Sequence, residues 1–87
     1  MKYTVARKPS AESQLADIWS GSADRAAVTQ AANEIDRRLE QDPQLQGEAR
    51  SGKRRVLIVA PLAVFFEVRE PDRVVAVLRV LPLARAH

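Results

Sequence analysis

The sequence contains no cysteine. Disulfides and thiolate metal sites are thereby excluded, and a reducing compartment is the expected setting. Histidine occurs once, so only carboxylates remain to hold a metal, and no metal site is expected. Long hydrophobic runs are missing too. The longest, VLIVAPLAVFF from Val56 to Phe66, covers 11 residues and contains a proline, where a membrane span needs about 20. The N-terminal MKYTVARKPS has no apolar core of the kind a signal peptide carries. A cytoplasmic protein with no membrane partner is therefore expected. Nor is there a glycine-rich phosphate loop, a Ser/His/Asp arrangement, an internal repeat or a low-complexity tract. No cofactor is expected.

What is present suits one small domain over residues 1–87, since 46% of them are hydrophobic and 29% charged. A domain of that size has a thin core, and partner binding adds to its stability. The net charge is +3 and unevenly spread. Residues 1–49 hold six cations and eight anions, whereas residues 50–87 hold eight cations and three anions. A basic second half favours a polyanion or an acidic protein partner.

Residues Tyr3 to Lys8 (YTVARK) alternate weakly and predict a first strand ended by Pro9. Ser10 stands where a helix N-cap belongs, and Leu15, Ile18 and Trp19 share one helical face, which places Trp19 in the core. Gly21 ends that helix. A second begins near Ser22 or Asp24 and runs to Gln41, with Val28, Ala32, Ile35 and Leu39 as its apolar stripe. Its other face, with Arg25, Glu34, Arg37, Arg38 and Glu40, is expected in solvent. The short connection makes the pair a helical hairpin.

After Pro43 a loop with two glycines leads to three runs of strand character, RRVLIVA, AVFFEVRE and RVVAVLRVL, each followed by a proline. Glu70-Pro71-Asp72-Arg73 is a hairpin turn. The expected fold is α+β in the order β-α-α-β-β-β, a small antiparallel sheet with the helical hairpin on one face. Alternation assigns Val64, Phe66 and Val68 to the core face and Ala63, Phe65, Glu67 and Arg69 to the other. In the last strand it groups Val75, Val77 and Leu81 with Arg79. Phe65, Val75 and Val77, with Arg69 and Arg79 among them, form a candidate docking patch. The alternative is that residues 43–52 or the C-terminal PLARAH cover it.

Arg50, Lys53, Arg54 and Arg55 crowd four cations into six positions at the start of a strand. Two readings stay open: a grip on phosphates, with arginine able to bind them bidentately, or a solvated basic turn. Glu48 is a candidate base beside Arg50, or only its surface partner. His87 is the one side chain whose ordinary pKa suits acid–base work near neutrality, but as the last residue it lies where chains fray. Tyr3 reads as packing in the first strand.

The succession of Y-x-V at 3–5, EIDRRLEQDP, GEARSGKRRVLIV and PLAVFFEVREPDRVVAVLRV resembles the RelE/ParE toxin superfamily of bacterial type II toxin–antitoxin systems, also called plasmid stabilisation proteins. The resemblance spans residues 1 to about 81 and implies the β-α-α-β-β-β fold. It implies a toxin neutralised by a cognate antitoxin that wraps over it. One branch of that superfamily cleaves mRNA in the ribosomal A site; another poisons DNA gyrase. Carried over to this chain, the RNA-cleaving branch's basic residues correspond to Lys53, Arg54 and Arg55, with Arg50 just before them. The arginine at the start of that branch's third strand is replaced by Ala63, leaving Arg79 as a cation from elsewhere. The C-terminal proton-transfer position can be filled only by His87. For RNA cleavage the candidate catalytic set is thus Arg54, Arg55, Arg79, His87 and Glu48. The resemblance equally admits a gyrase inhibitor without catalysis, or a non-toxic member that binds an antitoxin.

Overall fold

The structure, a computed structural model, describes residues 2–83. The first strand, β1 (Thr4–Arg7), stops before Pro9, which has no amide hydrogen to give to a sheet. The same property suits Pro9 to the first turn of a helix, and α1 spans Pro9–Gly21 with Lys8 at the N-cap position. The helix therefore starts before Ser10 rather than after it. Asp24 caps α2 (Arg25–Gln41), its carboxylate accepting the Ala27 N–H at 3.0 Å. Val28, Ile35 and Leu39 of the stripe are buried, as is Ala31, and Ala32 is half-buried.

A 3-10 turn, Pro43–Leu45, leads to a strand of two residues, β2 (Glu48–Ala49). Then comes the expected antiparallel meander, β3 (Arg54–Val59), β4 (Leu62–Arg69) and β5 (Val74–Pro82). The complete sheet has five strands in the order β1-β5-β4-β3-β2. It is mixed rather than wholly antiparallel, because β1 lies parallel to β5 with Thr4 beside Val74 and Arg7 beside Val77. A parallel pair needs a long connection to bring the chain back in the same direction, and everything between β1 and β5 supplies it.

Both helices cover one face of this sheet. Phe66 lies at the centre of the core with Leu62 and Val64 of β4, Val75, Val77 and Val80 of β5, and the stripe of α2. A single irregularity decides which side chains reach which face. Phe65 pairs with Arg79, but Phe66 pairs with Val77, so Leu78 is an extra residue, a β-bulge in β5. Alternation shifts at that point. Val75 and Val77, before the bulge, face the helices and are 0% and 1% exposed. Their expected place beside Arg79 is corrected, because a strict period of two does not survive an inserted residue.

Trp19 also departs from expectation, at 43% exposed. Ala11, Leu15 and Ile18 already form the inner face of α1, which leaves the indole at its edge. There its Nε1 donates to the Thr29 hydroxyl at 3.1 Å, and the Arg25 guanidinium lies 4.8 Å from the ring centroid. Among the described residues no helix is long and apolar enough to cross a membrane.

Candidate functional site

The face of the sheet away from the helices is built by strand alternation. It receives Arg54, Val56 and Ile58 from β3 and Ala63, Phe65, Glu67 and Arg69 from β4. The bulge delivers Arg79 and Leu81 to the same side. Arg79, Phe65, Val56 and Glu48 fall in one row across β5, β4, β3 and β2. Within it the Arg79 guanidinium lies 5.9 Å from the Phe65 centroid, a cation–π contact. In the adjoining row Arg54 is opposite Glu67, which also stands 3.8 Å from Arg69. Ile58 is 54% exposed. Phe65, half-buried, and the exposed Ile58 are thus flanked by charges in which cations outnumber anions, while Val56 of the same face is buried. Phe65, Arg69 and Arg79 of the expected patch come together here; Val75 and Val77 do not.

The basic cluster does not converge. Arg50 and Arg54 close a hairpin around Gly52: the Arg50 N–H donates to the Arg54 carbonyl at 2.9 Å, and the Arg54 N–H to that of Ser51 at 3.0 Å. Lys53 is exposed in this turn. Arg54 and Arg55 are successive strand residues and point to opposite faces. Arg54 is exposed on the open face, whereas Arg55 is half-buried on the helix side. Its Nε donates to the Gln46 carbonyl at 3.0 Å and its Nη2 to that of Gly47 at 3.2 Å. Arg55 therefore pins the loop before β2. Arg50 stands 3.8 Å from Glu48, both well exposed, a pairing of little energetic weight. His87 lies outside the described residues.

Sequence reasoning missed one cluster. The Tyr3 hydroxyl donates to the Glu70 carboxylate, which also accepts from Gln44 Nε2 at 2.9 Å. The Arg73 guanidinium lies 5.1 Å from the Tyr3 ring centroid. The bond to Glu70, reinforced by desolvation, raises the Tyr3 hydroxyl above its ordinary pKa. Glu70 then shares a shallow depression with Lys53 and Arg55. Tyr3 and Glu70 are 67 positions apart, and no local pattern signals such a pairing.

Comparison with known proteins places this geometry in a family. The family model described as the ParE toxin of the type II toxin–antitoxin system parDE matches residues 5–86. No curated protein sequence matches the chain significantly. Among solved structures, the chain is similar to one from a chromosomal ParDE toxin–antitoxin system of P. aeruginosa. The TM-score is 0.73 at 17% identity, over 94% of this chain and 97% of that one. The toxin–antitoxin complex RelBE2 from Mycobacterium tuberculosis gives 0.75 at 15% identity, over 94% and 99%. An E. coli RelE variant in complex with a RelBc antitoxin peptide gives 0.68 at 17% identity, over 99% and 87%. At such identities the structural likeness bears on the fold, two helices on a five-stranded mixed sheet. The family match spans nearly the whole chain and agrees with the resemblance carried by its sequence. The protein belongs to the ParE toxin family of type II toxin–antitoxin systems.

Proposed function

We propose that the protein arrests growth by binding DNA gyrase rather than by cutting mRNA, and that a cognate antitoxin neutralises it. One observation carries the choice between the two activities: strand alternation divides the basic cluster between opposite faces of the sheet. Cleaving a phosphodiester requires donors aimed together at the charge that develops in the transition state. Here Arg54 lies on the open face opposite Glu67, while Arg55 bonds loop carbonyls on the other side. Arg79 is stacked towards Phe65, and Ala63 stands at the start of β4 where the RNA-cleaving branch has arginine.

The open face suits the antitoxin. Phe65 and Ile58 offer an apolar centre, and Arg54, Arg69 and Arg79 surround it with positive charge. An acidic segment with an apolar stripe complements both. The toxin–antitoxin complexes among the similar structures support a protein partner for this chain as well.

The test uses purified protein in two assays, supercoiling by gyrase and cleavage of mRNA on programmed ribosomes. Inhibited supercoiling with intact mRNA is expected. A-site cuts that disappear with Arg54→Ala plus Arg55→Ala, alongside normal supercoiling, would overturn the proposal in favour of the nuclease.

A further inference from the structure

The depression that Glu70 shares with Lys53 and Arg55 has a volume of about 360 Å³ and is completed by Gln44 and Val68. It lies where β3 begins and β4 ends, on the Arg55 side of the sheet, so Arg54 and the open face take no part in it. Three separate segments supply its polar side chains. Gln44 comes from the 3-10 turn after α2, Lys53 and Arg55 from the entry to β3, and Glu70 from just beyond β4.

Unmatched charge sets this depression apart. Arg7, Arg37, Arg38, Arg50 and Arg69 each stand beside a carboxylate, whereas among the described residues neither Lys53 nor Arg55 has one. The carboxylate of the depression, Glu70, accepts instead from the neutral donors Tyr3 and Gln44. Arg55 is half-buried, and the Gln46 and Gly47 carbonyls fix its guanidinium through Nε and Nη2, which leaves Nη1 without a partner among the described residues. Water screens a half-buried guanidinium less than an exposed one, so an anion gains more from it. Lys53 brings three N–H donors, and the Gln44 amide has a second N–H besides the one given to Glu70. Donors arriving from several segments suit a tetrahedral oxyanion better than a planar carboxylate with two oxygens. We infer that the depression binds a phosphate group, held by Arg55 Nη1 and the Lys53 ammonium with the Gln44 amide beside them. Glu70 opposes that group and keeps its affinity moderate. The inference concerns the side of the sheet away from the open face and does not depend on which target the toxin arrests.

The experiment is an NMR titration with inorganic phosphate at constant ionic strength, following the Arg55 Nε–H resonance, with thermal melting as the check on folding. A saturating shift is expected. Lys53→Gln, an exposed change, should weaken the binding about tenfold through the loss of one charged hydrogen bond. Glu70→Gln should tighten it by removing the opposing charge. Lys8→Gln takes away an exposed cation at the start of α1 and should leave the binding unchanged. A short DNA duplex then distinguishes two sources of the phosphate group. If the duplex shifts the same resonance and displaces inorganic phosphate, the site holds a nucleic-acid backbone; if only inorganic phosphate shifts it, the site holds a small phosphate ester. No shift at Arg55 with either, or equal affinity in the parent, Lys53→Gln and Glu70→Gln proteins, overturns the inference.

Discussion

Glu34 sits between two guanidinium groups on the outer face of α2, 2.5 Å from Arg37 and 2.7 Å from Arg38. Hydrogen bonds from Arg37 and then Arg38 hold its carboxyl well down, at a pKa of about 2. A folded-state pKa below the unfolded one means that the pair supports the fold above the ordinary glutamate range. That support is lost as the pH falls through about 2. The group is exposed, so salt screens the effect. NMR titration of the Glu34 carboxyl is expected to give a midpoint near 2, and Arg37→Ala with Arg38→Ala to return it to about 4.3. An ordinary midpoint in the unaltered protein would show that the two bonds do not persist in solution. Asp36, on the same helix, goes the other way, because its burial outweighs the charge and bond of Arg7 and raises its pKa. Residue-scale properties of this kind were only partly legible in the sequence. The charged face of α2 was readable from its spacing, and so was the stripe opposite. The exposure of Trp19 was not, because a helical wheel places it beside Leu15 and Ile18 and says nothing of how far the sheet extends beneath it.

Among the elements, β2 exists only because the chain can turn sharply just before it. Gly47 has φ +67°, and a Cβ there would come within 2.0 Å of the Val56 carbonyl oxygen. Both the left-handed backbone and that close approach require glycine. Gly47→Ala is expected to cost on the order of 2–3 kcal/mol in urea unfolding and to detach β2 from β3. Hydrogen-exchange protection at Glu48 that survives the substitution would contradict this. A two-residue strand has no alternation to read, so residues 43–52 looked like plain loop in the sequence. The bulge at Leu78 was hidden for a related reason. In RVVAVLRVL nearly every side chain is apolar, and nothing in the run marks which residue fails to pair. Helices α1 and α2 and strands β3 to β5 were legible because each joins a helical period or a run of β-branched residues to a proline or glycine stop. The division of Arg54 and Arg55 between two faces follows from their adjacency in a strand, but the engagement of Arg55 by the Gln46 and Gly47 carbonyls was not legible, since it depends on how the irregular loop before β2 folds back.

At the scale of the molecule, the sheet is the load on which both surfaces depend, and Phe66 is its keystone. Phe66 is wholly buried on β4, between β3 and β5. Phe66→Ala is expected to cost about 3–5 kcal/mol, against about 5–15 kcal/mol for a whole domain. Calorimetry should find a transition far below that of the parent protein or none at all, while a small shift would mean that the core re-forms around the cavity. The two layers also differ in sign: the helices carry an excess of carboxylates, and β3 to β5 carry four arginines and one glutamate. The uneven charge of the two halves of the sequence thus becomes two oppositely charged sides of one small body.

The parallel pairing of β1 with β5 joins the strand that is synthesised first to the one synthesised last. Until β5 has been made, β1 has no neighbour in the sheet, and the helices lack Val75, Val77 and Val80 to pack on. Contacts so distant along the chain close late and slowly, after the loop-closure entropy of the intervening residues has been overcome. Neither the open face nor the helical layer behind it is therefore complete on a chain that does not yet include β5. Both take shape together, in the final stage of folding.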